Sequence, residues 1–146
     1  MERFERFSFA LMCISRYWHK IVADEMEKLG LKAAYAIYLI ALFRFSEGVT
    51  AVKLGEICGK DKSDVSRTVA FMEENGLVSK VGSRYRAIIK LTQKGKEAAL
   101  KVHNRAKVAV DLAGGCISDD DREIMYNSLE KIAINLQTIS QDGLPQ

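Results

Sequence analysis

The sequence predicts a mostly α-helical chain with a small β-hairpin wing: a winged helix-turn-helix lobe set between long N- and C-terminal dimerisation helices. Three observations carry this prediction. Between Thr50 and Thr92, two short helical periods are separated by a turn and followed by two β-prone runs. Apolar residues recur close to heptad spacing over residues 2–29. They recur again in steps of four and three from Met125 to Ile139. On this reading residues 31–91 form the winged helix-turn-helix lobe, and residues 1–30 and 92–141 form the dimerisation helices of the same single domain 1–146.

Within the lobe, Thr50 is a suitable N-cap for a short helix that carries Leu54, Ile57 and Cys58 on one face, and Gly59 can end it. Asp61 caps the next helix, with Asp64 three residues on. Val65, Val69 and Met72 then recur at helical spacing until Gly76. Leu77 to Val81 and Tyr85 to Leu91 are β-prone runs around Gly82-Ser83 and read as a hairpin, after which Thr92 caps a further helix. In helix, turn, helix, hairpin order, the second helix can enter a DNA major groove.

In the flanks, Phe4, Phe7, Leu11, Ile14, Trp18, Ile21 and Met26 mark one long amphipathic helix ending near Gly30. The helix expected over Lys32 to Phe45 is apolar nearly all round, as suits an element enclosed by others. From Thr92 a long alanine-rich helix runs to Gly114-Gly115. Ser118 and Asp119 to Asp121 start the last helix, whose seam is Met125, Leu129, Ile132, Leu136 and Ile139. The stripes of the first and last helices either pack on each other within one chain or interleave with those of a symmetry mate. The second arrangement would place Phe4, Phe7, Leu11 and the five seam residues in a dimer interface.

Of the 146 residues, 48% are apolar, enough for a packed core. The net charge of +3 is unevenly divided: residues 53–105 hold twelve Lys or Arg against six Asp or Glu, leaving the remainder with a net −3. Positive charge on the lobe suits phosphate neutralisation, the alternative being a solvated basic surface; the winged-helix order favours DNA. The most apolar run, Ala33 to Phe43, is too short to span a bilayer, and the start shows no cleavage-site pattern, so a soluble protein of the cytoplasm without membrane association is expected. Cys13, Cys58 and Cys116 are widely spaced and fit neither a disulfide framework nor, with His19 and His103, a metal site. The apolar neighbours of Cys13 point to a buried structural thiol. There is no nucleophile elbow, phosphate loop or framed carboxylate pair, so neither catalysis nor a cofactor is expected.

Leu54-Gly55-Glu56-Ile57, Ser63-Asp64-Val65-Ser66-Arg67, Gly76-Leu77-Val78 and Leu91-Thr92-Gln93-Lys94-Gly95, in this order and spacing, resemble the DNA-binding lobe of the MarR (multiple-antibiotic-resistance) family of transcriptional regulators. The resemblance implies a homodimer on double-stranded DNA at a pseudo-palindromic operator. It also implies repression relieved by a small aromatic or phenolic ligand or by an oxidant. Two alternatives stay open, a winged-helix protein-interaction module and a constitutive architectural DNA binder without effector.

With Val65, Val69 and Met72 inward, Lys62, Ser63, Ser66 and Arg67 face outward near the N-terminal end of the second helix of the motif, where base contacts form. Arg67 can hold a guanine edge bidentately or clamp a phosphate; its alternative is a salt bridge to a nearby carboxylate. Lys80, Arg84 and Arg86 supply positive charge to the wing. The wing, VGSRYRA, is shorter than the usual MarR wing and lacks its Asp-x-Arg element, which fits phosphate contact better than minor-groove insertion. Lys60 stands where the family tends to have an apolar residue and Phe71 where it tends to have a polar one; core packing is the reading for Phe71. The family's effector site lies between the long helices and the lobe. By position Arg16, Tyr17, Trp18, His19, Tyr35 and Tyr38 are its counterparts here, aromatic walls with one cation, the alternative being an ordinary core stripe.

Overall fold

Helix caps divide the chain as their side chains suggest. In the computed structural model, which describes residues 1–84 and 86–145, Thr50 Oγ1 accepts from the Lys53 N–H at 3.3 Å and starts α3 (Ala51–Cys58). Asp61 Oδ1 accepts from the Asp64 N–H at 2.8 Å and starts α4 (Lys62–Glu74). Thr92 Oγ1 accepts from the Gly95 N–H at 3.1 Å at the head of α5 (Gln93–Ala113), and Ser118 Oγ from the Asp121 N–H at 3.2 Å at the head of α6 (Asp119–Asp142). Each side-chain oxygen satisfies one amide that the first helical turn leaves unpaired. Asp61→Ala is expected to lower stability by about 1 kcal/mol. Equilibrium denaturation should show a lower midpoint at unchanged slope.

The first helix, α1, spans Arg3–Lys28, and α2 spans Ala36–Arg44. The sequence predicts continuous helix from Lys32, but Ala33–Tyr35 form a tighter 3₁₀ turn before α2 begins. Lys32 supplies no side-chain cap there, so i to i+3 bonds such as Tyr35 N–H to Lys32 C=O at 3.1 Å take up the free groups. Five of the nine α2 residues are buried, Ala36, Tyr38, Leu39, Ala41 and Leu42, which makes it the central pillar.

Strands β1 (Val78–Val81) and β2 (Ile88–Leu91) pair antiparallel, Val78 opposite Leu91 and Val81 opposite Ile88. The second strand is shorter than the predicted Tyr85 to Leu91 run, whose first residue lies outside the described residues. Arg86 N–H donates to Ser83 C=O at 2.9 Å, and Arg86 stays outside the strand. Val49 adds a bridge to Ile89 through two backbone bonds of 3.1 and 2.8 Å, tying the wing to the linker between α2 and α3. Gly48 permits that approach, since a Cβ there would sit 2.4 Å from Ile88 Cγ2 and 2.8 Å from Ile89 C=O.

The chain forms two compact units, Met1–Lys107 and the segment from Val108 onward. In the first, α2 packs on α3 and β2, α3 on α4, and α4 on β1, around Tyr38, Leu39, Leu42, Leu54, Met72 and Ile89. In the second, the Arg122 guanidinium donates to Gly114 C=O at 2.6 Å and lies 3.8 Å from Asp111, fixing the turn before α6. No residue of α6 is buried. Cys13 is a correction to the sequence reading: it is exposed. The only buried residue of α1 is Met26, because the elements that cover α1 gather at its C-terminal end, and the apolar neighbours of Cys13 are themselves exposed. Among the described residues, no helix is long and apolar enough to cross a membrane.

Candidate nucleic-acid interface

The outer face of α4 is built by its inner one. Val65, Thr68, Val69 and Met72 turn into the core and leave Lys62, Ser63, Ser66 and Arg67 exposed along the first two turns. Among the described residues Arg67 enters no ion pair, so the alternative reading of a local salt bridge is not realised and its five donors face solvent. Asp64, on the same turns, is half-buried and accepts from the Tyr38 hydroxyl and, at 3.5 Å, from the Thr68 hydroxyl. At the far end, Lys94 Nζ donates to Asn75 C=O at 2.9 Å, placing a cation at the negative end of the α4 dipole.

Lys80 is exposed on β1, and Arg84 and Arg86 are exposed in the loop between the strands. Lys90 points elsewhere, half-buried and 3.9 Å from Glu47. A helix face of short polar side chains with one free guanidinium, flanked by a loop with two more, can meet base edges and phosphates together.

No protein-family model and no curated protein matches the sequence. Solved structures do match. A MarR family transcriptional regulator from Listeria monocytogenes, complexed with a 26mer DNA, superposes with a TM-score of 0.83 at 20% identity over 100% of this chain and 99% of that one. A MarR transcriptional regulator from Methanosarcina mazei Go1 gives 0.81 at 22% identity over 95% and 94% of the two chains. The chain has the MarR-family winged-helix fold. CouR from Rhodococcus jostii RHA1, bound to p-coumaroyl-CoA, gives 0.74 at 23% identity over 87% and 91%.

Of the residues that the MarR resemblance nominates for an effector, the fold brings only some into a common environment. Tyr35 and Phe71 stack at 4.6 Å between ring centroids, which places Phe71 at the core margin on the 3₁₀ turn. Trp18 is half-buried, Arg16 and Tyr17 are exposed, and His19 Nδ1 lies 3.2 Å from the Ser15 hydroxyl. Tyr38 lies deeper: at 1% exposure it belongs to the core of the lobe, held there by its hydrogen bond to Asp64. Burial raises the Tyr38 phenol well above its ordinary value and the Asp64 carboxylate adds to the shift, so it is a neutral donor at physiological pH.

Two clefts among the described residues lie elsewhere. One, of about 330 Å³, is lined by Glu25, Lys28, Leu29, Lys101, Val102 and Arg105; the other, of about 270 Å³, shares Leu29 and Lys101 and adds Asn75 and Lys94. Glu25 bonds Lys28 at 2.7 Å and approaches Arg105 at 3.4 Å, joining α1 to α5. The Lys28 ammonium above all, with Arg105 beside it, holds the Glu25 carboxyl below the usual range. These cations come from two elements far apart in sequence, and no local pattern announces them. Among the described residues, no three His, Cys, Asp or Glu side chains gather as metal ligands.

Proposed function

We propose that the protein is a cytoplasmic, homodimeric, sequence-specific DNA-binding transcriptional regulator. It acts by binding and not by catalysis. One α4 helix enters each of two major grooves about one helical turn apart, at a pseudo-palindromic operator. Lys62, Ser63, Ser66 and Arg67 meet the groove, while Lys80, Arg84 and Arg86 of the short wing contact phosphates. The observation that carries the reading is the unpaired Arg67 on the outer face of α4, within the basic span of residues 53–105. The Listeria relative's complex with DNA supports the same use of the fold.

Dimerisation rests on the apolar stripes. Phe4, Phe7 and Leu11 of α1 and Leu129, Ile132, Leu136 and Ile139 of α6 are all exposed on the single chain, and Met125 is half-buried. Exposed apolar side chains in such number, repeating along two helices, mark an association surface. Residues 1–30 and 92–141 are accordingly assigned to dimerisation and 31–91 to DNA binding within one functional domain. The output is repression, relieved by a small aromatic or phenolic ligand at the site of Arg16, Tyr17, Trp18, His19, Tyr35 and Tyr38, or by an oxidant. The complex of CouR with p-coumaroyl-CoA supports an aromatic effector for this fold.

Arg67→Ala is expected to weaken operator binding by about 1 to 3 kcal/mol and to relax preference at one base pair of each half-site. A folded variant with unchanged affinity and unchanged preference would remove Arg67 from the interface.

A further inference from the structure

The reading face of α4 is short, and its aim depends on what holds its first turns. Asp61 caps the backbone there, but a cap binds the helix only to its own preceding residue. Among the described residues, a long-range side-chain hydrogen bond onto those turns comes from α2: the Tyr38 hydroxyl donates to Asp64 Oδ1, 26 residues away in sequence. Asp64 sits between Ser63 and Ser66 and one turn before Arg67. Its other side-chain partner, the Thr68 hydroxyl at 3.5 Å, belongs to α4 itself and cannot orient the helix against the lobe. Tyr38 is fully buried between α2 and the helix-turn-helix, and Leu39 and Leu42 fix its own helix in the core.

We infer that Tyr38 is a positioning residue for DNA reading: its hydrogen bond to Asp64 sets the angle at which α4 presents Ser63, Ser66 and Arg67 to the major groove. The inference rests on the operator-binding function proposed above. Base contacts tolerate little misplacement, because a bidentate fork must meet two atoms of one base edge in plane, whereas a contact to a phosphate accepts a wider range of approach. Loosening α4 therefore lowers sequence discrimination and leaves nonspecific binding in place.

The test is Tyr38→Phe, which removes the hydroxyl and keeps the buried ring. The ratio of affinities for operator and scrambled DNA is measured by fluorescence anisotropy for the wild type, for Tyr38→Phe, for Asp64→Asn, which keeps an acceptor oxygen, and for Val102→Ala, which loses core packing away from α4. All are measured well below their unfolding transitions. The ratio should fall roughly tenfold in Tyr38→Phe, the scale of a lost hydrogen bond to a charged acceptor, with affinity for scrambled DNA unchanged. It should fall less in Asp64→Asn and stay at the wild-type value in Val102→Ala. A Tyr38→Phe protein that discriminates like a discriminating wild type overturns this inference alone, as does an equal fall in Val102→Ala, which would make the effect one of stability. A wild type that does not discriminate overturns the operator reading beneath it.

Discussion

Leu136→Asp is expected to convert the proposed dimer to monomers and to abolish tight operator binding with it. Across its 24 residues α6 buries nothing on the single chain, although Leu129, Ile132, Leu136 and Ile139 stand 37–47% exposed in a row. If a partner covers that row, each protomer contributes a Leu136, and a two-fold interface doubles the effect of any substitution. A carboxylate left unpaired in an apolar seam costs about 3 to 5 kcal/mol. Two of them, about 6 to 10 kcal/mol together, weaken association by roughly ten-thousandfold or more. Sedimentation velocity at micromolar protein should show a single species of monomer mass. A variant that sediments as a dimer would place the interface on other residues.

Gly95→Ala, in the first turn of α5, should be strongly destabilising. A Cβ at Gly95 would lie 1.9 Å from Leu77 C=O, 2.9 Å from its carbonyl carbon and 3.1 Å from Leu91 Cδ2. The first contact is with backbone, so no side chain can swing away to relieve it. The same carbonyl accepts the Thr92 N–H at 3.0 Å, and the Thr92 hydroxyl donates to Gly76 C=O. To make room, α5 must withdraw from the start of β1 and break the joint that seats it on the end of α4. A loss of about 3 kcal/mol is expected, near the upper end for overpacking. For a chain of this size that lowers the thermal midpoint by roughly 10 °C. Circular dichroism melts of the two proteins check it, and a midpoint within a degree or two of wild type would show that the joint is looser than the structure has it.

What could be read from sequence was local. The caps at Thr50, Asp61, Thr92 and Ser118 join a side chain to an amide three residues on, so each shows itself within a four-residue window. The outward face of α4 follows from the helical spacing of Val65, Val69 and Met72 in the same way. What escaped depends on distant partners. Tyr38 looks like one more ring in an aromatic stripe until Asp64 is brought beside it, and Val49 looks like linker until Ile89 pairs with it. Cys13 reads as buried from its apolar neighbours, but on this stretch of α1 those neighbours face away from the lobe's core. Glu25 and Arg105 show no relation in sequence because α1 and α5 meet only in the fold.

Operator recognition can be decided by a fluorescence-anisotropy titration of the protein against DNA from upstream of its own gene and against a scrambled duplex, at two salt concentrations. A regulator that reads its operator should bind the upstream DNA tightly and the scramble much more weakly, with an affinity that drops about a hundredfold or more for a fourfold rise in salt, as neutralising about four or more phosphates requires. Equal, weak binding to both duplexes with little salt dependence would contradict operator recognition, and would make the basic lobe a surface for a protein partner.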